Sequence, residues 1–192
     1  MVKSMPPGTT GKLFQLLFFS SLLVLCLYAN EQGGSLLYRA VPVFILGVLF
    51  FYMTGLIRRS GVAPCLVPTL SMTAALSLIF CFAGILAVAG GPWGVSYPSG
   101  VPIPPSLDPW RQTVGFTLLI AAALFGFMIF LVLYKSWAIL GLLILQSLAL
   151  LSFGMGSANP LTHPVKVTLF GALLFQAVMS VYGVVREEPI SR

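Results

Sequence analysis

Residues 36–57 read LLYRAVPVFILGVLFFYMTGLI, and Arg58-Arg59-Ser60-Gly61 ends them. Arg39 is the one charge in the run. As a helix rising 1.5 Å per residue the stretch is about 33 Å long, enough to cross a hydrocarbon core of about 30 Å. Its apolar side chains run all the way round the helix, so lipid is the solvent that suits it. A helix also meets the demand a bilayer makes of any spanning chain, because every interior N–H and C=O finds its partner within the segment. The paired arginines and glycine that follow mark a return to water.

Working outward, five further apolar runs share this character: residues 12–28, 66–89, 113–134, 137–157 and 165–185. Between them lie NEQGGS at 30–35, Lys135-Ser136, and the turn Asn159-Pro-Leu-Thr-His-Pro164. The longest connection, 90–112, holds Pro92, Pro98, Pro102, Pro104, Pro105 and Pro109, which predicts extended chain rather than helix. Trp93, Tyr97 and Trp110 fall in it, and such rings favour the headgroup region. Residues 1–30 have the layout of a secretory signal (a basic start and then an apolar run) but are read as a first membrane helix. The expectation is an all-α polytopic membrane protein of six transmembrane helices, with residues 1–192 a single transmembrane domain.

Composition agrees. The 192 residues are 58% hydrophobic and 7% charged, with a mean hydropathy of +1.03. A soluble domain carries roughly 25% charged residues to wet its surface. The net charge of +6 comes from basic residues that stand singly or in pairs between apolar runs. That is a topology signal rather than a nucleic-acid footprint. With six spans, Lys3, Lys12, Arg58, Arg59, Lys135, Arg186 and Arg192 fall on one side and Arg39, Arg111 and Lys166 on the other. The positive-inside rule then places both termini on the cytoplasmic, or matrix, side.

The spans lack the groups that most membrane chemistry needs. Glu31, Asp108, Glu187 and Glu188 all lie in loops or the tail, and no Lys, Arg or His lies mid-span. Proton relays and voltage sensors use ionisable groups at that depth. Paired carboxylates, a metal cluster and a Ser-His-Asp set are missing, so no enzyme activity, cofactor or metal is expected. Cys26, Cys65 and Cys81 form no CxxC and read as inert thiols. His163, the one histidine, reads as a surface-loop residue.

What remains is uncharged and polar. Gln15, Ser20 and Ser21 lie in the first span and Thr69, Ser71, Thr73 and Ser77 in the third. Gln146, Ser147 and Ser152 lie in the fifth, and Gln176 and Ser180 in the sixth. Hydroxyls of this kind commonly bond back to their own helix. They can also line a narrow pore in which hydroxyls and amides replace a solute's water. Ser20, Ser21, Thr69, Ser71, Gln146 and Ser147 are the pore-polar candidates. Small residues such as Ser152 and Gly156 let helices approach closely.

Four segments carry a family resemblance. They are FQLLFFSSLLVLCLYANEQG in the first span, VFILGVLFFYMTGLIRRSG in the second, LQSLALLSFGMGSAN in the fifth and LFGALLFQAVMSVYGVVREE in the sixth. Over residues 13–188 the chain resembles the acetate uptake transporters, the succinate–acetate permease family. The resemblance implies a homo-oligomer, a hexamer, with one pore per subunit for small carboxylate anions such as acetate and succinate. It places a constriction at Phe19, Met72 and Leu148, with methionine where the family has tyrosine. The family's Asn-Pro-Ala-Pro signature is absent, and the chain has Met5-Pro-Pro-Gly-Thr-Thr-Gly-Lys12 there. The alternative is a non-catalytic subunit of a multi-subunit membrane complex, respiratory or photosynthetic.

Overall fold

The computed structural model describes residues 9–28, 35–89, 108–135, 138–156 and 163–186. Among them are six helices: α1 Thr9–Tyr28, α2 Leu36–Arg59, α3 Val67–Val88, α4 Asp108–Tyr134, α5 Ala138–Gly156 and α6 Pro164–Arg186. The connections at 29–34, 136–137 and 157–162, most of the proline-rich 90–112 stretch and the tail lie outside the described residues. Four helices are long and apolar enough to cross a membrane: Leu36–Arg59, Val67–Val88, Gln112–Tyr134 and Pro164–Val185.

Local sequence accounts for the helix ends. Ser35 caps α2 by accepting from the Tyr38 N–H at 3.3 Å. Pro42 stands inside α2 near its start, and the helix continues through it. At the other end Gly61 takes φ +72°, the left-handed conformation that closes many helices and that glycine adopts at least cost. Pro68 occupies the first turn of α3, where the missing N–H would lack a helical partner anyway. One boundary differs from expectation. α4 begins at Asp108, five residues ahead of the apolar run, because Asp-Pro is a good helix-starting pair that the prolines before it conceal.

The helices run up and down. Gly47 of α2 faces Phe19 of α1, and Arg39 Nη1 donates to Leu27 O at 2.8 Å, so α1 and α2 are antiparallel. Gly84 meets Gly115 and Ser77 donates to Ala122 O at 2.9 Å, so α3 and α4 are antiparallel too. α2 and α6 are parallel, with Tyr38 beside His163 and Phe50 beside Phe175. Lys12, Arg58, Arg59 and Lys135 therefore gather at one end of the bundle, and Arg39 and Lys166 at the other.

α3 and α6 form the centre. α6 packs against α1, α2, α3 and α5, while α3 packs against α2, α4 and α6. Residues 67–73 of α3 are buried without a break, so its first two turns are enclosed on every side. The core joins Leu46 and Phe50 to Leu70, Met72, Leu76, Phe125 and Leu142. The outer faces are apolar as well: Phe44, Tyr52, Phe82, Ile120 and Ile144 are all more than half exposed. An apolar core beneath an apolar surface is the arrangement lipid favours and water does not.

Candidate functional site

Hydroxyls in a spanning helix have one cheap partner, the carbonyl a turn earlier. Thr54, Ser71 and Ser147 take it, donating to Phe50 O, Val67 O and Leu143 O at 2.8, 2.6 and 2.9 Å. Thr73 does so at 2.7 Å to Thr69 O, but its oxygen also accepts from Gln176 Nε2 at 2.5 Å. A turn further along α6, Ser180 Oγ lies 2.8 Å from Gln176 O and 2.8 Å from Gln146 Oε1. The result is a continuous polar strip, Thr69–Thr73–Gln176–Ser180–Gln146, joining α3, α6 and α5. Every one of its side chains is wholly buried.

The antiparallel register of α3 and α6 sets its direction. Gln176 meets Thr73 and Gly183 meets Leu66, which brings Thr69 level with Ser180. Gln176 sits about 18 Å along α6, near mid-bundle, and the strip descends from there toward the Arg58 end. At that end, beside the first turn of α3, a pocket of about 260 Å³ is lined by Arg58, Val62, Pro64 and Val67.

Three atoms in the strip have no hydrogen-bond partner: Thr69 Oγ1, Gln146 Nε2 and Gln176 Oε1. Turning the Gln146 amide over places its NH2 on Ser180 Oγ and lets the single Ser180 proton go to Gln176 O, which uses that proton once. The exchange leaves Gln146 Oε1 unpartnered instead. Gln176 can be turned as well, since the Thr73 proton, here on Thr69 O, can go to Gln176 Oε1 instead and leave the Gln176 NH2 open. Whichever way the two amides lie, the strip keeps unused N–H groups, and it holds no charge. Leaving such groups unmet away from water costs about 1–3 kcal/mol each.

Beside the strip lies an aromatic cluster. Phe18 and Phe175 have centroids 4.3 Å apart, Phe19 and Phe50 5.5 Å, and Phe50 and Phe175 5.9 Å. Phe175 and Gln176 are neighbours in sequence and so about 100° apart around α6. The rings fill the α1–α2 side and the amide faces α3. At the far end a second polar group forms, with Cys26 Sγ 3.3 Å from Thr168 Oγ1. His163 Nδ1 accepts from the Val165 N–H at 3.3 Å, and its Nε2 lies 3.3 Å from the Tyr38 hydroxyl.

Of the residues singled out in the sequence, Phe19 stands in the aromatic cluster and Met72 is wholly buried on α3. Leu148 is 56% exposed on α5, and α1, α3 and α5 approach one another nowhere within 8 Å between Cα atoms among the described residues. Phe19, Met72 and Leu148 therefore stand on three helices that do not pack on one another. Thr69 and Gln146 belong to the strip, while Ser71 is buried but bonded only to its own helix. Ser20, Ser21 and Ser147 face outward. Thr73, Gln176 and Ser180 complete the strip without having been candidates. Their signal was the pair of amides Gln146 and Gln176, whose side chains are long enough to reach past their own helix.

Fold and site together define the class: an α-helical integral membrane protein with an uncharged polar strip in its core. No family model, curated protein or solved structure matches the chain.

Proposed function

We propose that this chain is a membrane channel or transporter for small carboxylates such as acetate or succinate, crossing the bilayer six times with both termini on the cytoplasmic or matrix side. One path runs through each subunit of an oligomer. The observation that carries the reading is the strip with its unpartnered oxygens and nitrogen near mid-bundle. A bilayer supplies no water to such groups, and replacing a solute's hydration with hydroxyls and amides is how a narrow path selects what passes. Arg58 and the first turn of α3 make the adjoining pocket electropositive, which raises the local concentration of anions there.

Uptake of labelled acetate into proteoliposomes tests the proposal. Uptake faster than in empty vesicles is the expected result, and equal rates with folded protein would rule it out. An accessory subunit of a larger membrane complex is the second reading. It is favoured by the exposed ridge Leu140, Ile144, Leu148 and Leu151 on α5, each at least half exposed. Native gel migration separates the two, because the first gives a homo-oligomer and the second a particle of many different chains.

A further inference from the structure

Arg58 lines the pocket of about 260 Å³ together with Val62, Pro64 and Val67. Among the described residues it makes no hydrogen bond or ion pair. Val67 adds a backbone donor to the same wall. It opens α3 behind Leu66, which brings no side chain to cap the helix. Its own N–H meets no acceptor among the described residues, although the residue is buried. The other lining groups are apolar, and none is an acid. One turn back along α2, Gly55 is exposed and has nothing within 4 Å of its Cβ position. Phe51 and Tyr52 stand exposed a turn before it. Spacings of three and four put Phe51, Tyr52, Gly55, Arg58 and Arg59 on one face of the helix. The missing side chain at Gly55 leaves a notch there, between the rings and the arginines, that leads from Arg58 into the apolar outer surface.

We propose that the Arg58 pocket holds the phosphate of an anionic phospholipid, with an acyl chain of that lipid lying in the Gly55 notch. A guanidinium and a phosphate form charge-assisted hydrogen bonds, and an open N–H at a helix start favours an anion as well. Both donors stand at the basic end of the bundle, where the spans meet a headgroup layer. A leaflet holds phosphate at that depth permanently, whereas a dissolved anion must arrive from water. Val62, Pro64 and the notch suit the apolar part of a lipid and give nothing to a small hydrated ion. The lining has no carboxylate to receive a choline or ethanolamine ammonium, so it selects a headgroup of net negative charge. The site is independent of the transport reading, since it lies on the outer face of α2 and asks nothing of the buried strip.

Native mass spectrometry of the full chain in detergent micelles, titrated with phosphatidylglycerol or phosphatidylcholine, tests the proposal. Phosphatidylglycerol is expected to bind more tightly. Arg58→Gln should weaken it by about tenfold or more, and Arg58→Lys by less. Arg59→Gln, outside the pocket lining, should cost about threefold. Gly55→Leu, which fills the notch, should weaken both lipids. Gly55 touches nothing and Arg58 bonds nothing in the fold, so thermal unfolding should show each variant folded. Equal affinity for the two lipids, or equal losses from Arg58→Gln and Arg59→Gln, would reduce the site to a diffuse basic surface and overturn the proposal. Displacement of phosphatidylglycerol by equimolar glycerol 3-phosphate would show that the pocket takes a soluble anion, and would overturn the lipid as its occupant. Undiminished binding to Gly55→Leu would overturn the placement of the acyl chain. None of these outcomes measures flux, so the transport reading stands or falls separately.

Discussion

Ser180 has one proton and two oxygens within 2.8 Å, one of them on Gln146. Removing its hydroxyl strips Gln146 of its one partner, whereas removing the Gln146 amide leaves Ser180 bonded to Gln176 O. Ser180→Ala should therefore destabilise the protein more than Gln146→Leu. The two should couple by about 0.6 kcal/mol and by no more than ~1.7, the range of hydrogen bonds between membrane helices. A double-mutant cycle read by unfolding in mixed micelles measures this. Equal costs that simply add would show that the two side chains do not bond. The sequence made polar residues in the spans plain but not which of them meet. Ser20, Ser21 and Ser147 are as polar as Ser180, yet they face outward. Where lipid-facing and core-facing positions are equally apolar, periodicity no longer tells the faces apart.

Among helices, α3 and α4 meet backbone to backbone at two glycines. A Cβ on Gly84 would stand 2.9 Å from the Gly115 carbonyl oxygen, and one on Gly115 would stand 3.1 Å from that of Gly84. Those neighbours are backbone, so relief requires the helices to separate. Gly84→Ala or Gly115→Ala is expected to cost about 1–3 kcal/mol. Gly55, on α2, has nothing within 4 Å of its Cβ position, and Gly55→Ala should stabilise by about 0.5–1 kcal/mol through helix propensity alone. Thermal unfolding in detergent gives both signs, and a destabilised Gly55→Ala would place an unrecognised neighbour on that face. The elements themselves were legible because length and apolarity suffice to find a spanning helix. The start of α4 was not, since Asp108-Pro109 closes a proline-rich stretch and opens a helix at once. Nor was the enclosure of residues 67–73, which no spacing of side chains announces.

For the whole molecule, the bundle's polarity is the testable matter. Helices joined antiparallel bring Arg58, Arg59, Lys12 and Lys135 to one end, and a bilayer orients the richer basic end toward the cytoplasm or matrix. Ser60 and Ser35 mark the two ends, both exposed and each just outside α2. In a protein with Cys26, Cys65 and Cys81 replaced by alanine, Ser60→Cys should react with an impermeant maleimide only from the cytoplasmic face, and Ser35→Cys only from the opposite one. Ser4→Cys and Ser191→Cys, near the termini, should follow Ser60 if the chain crosses six times. A terminus that labels with Ser35 instead would mean an odd number of crossings. That result bears on transport as well as topology. The Arg58 pocket, and the end of the strip beside it, would keep their place at the cytoplasmic mouth only if α2 itself runs in the direction its paired arginines imply.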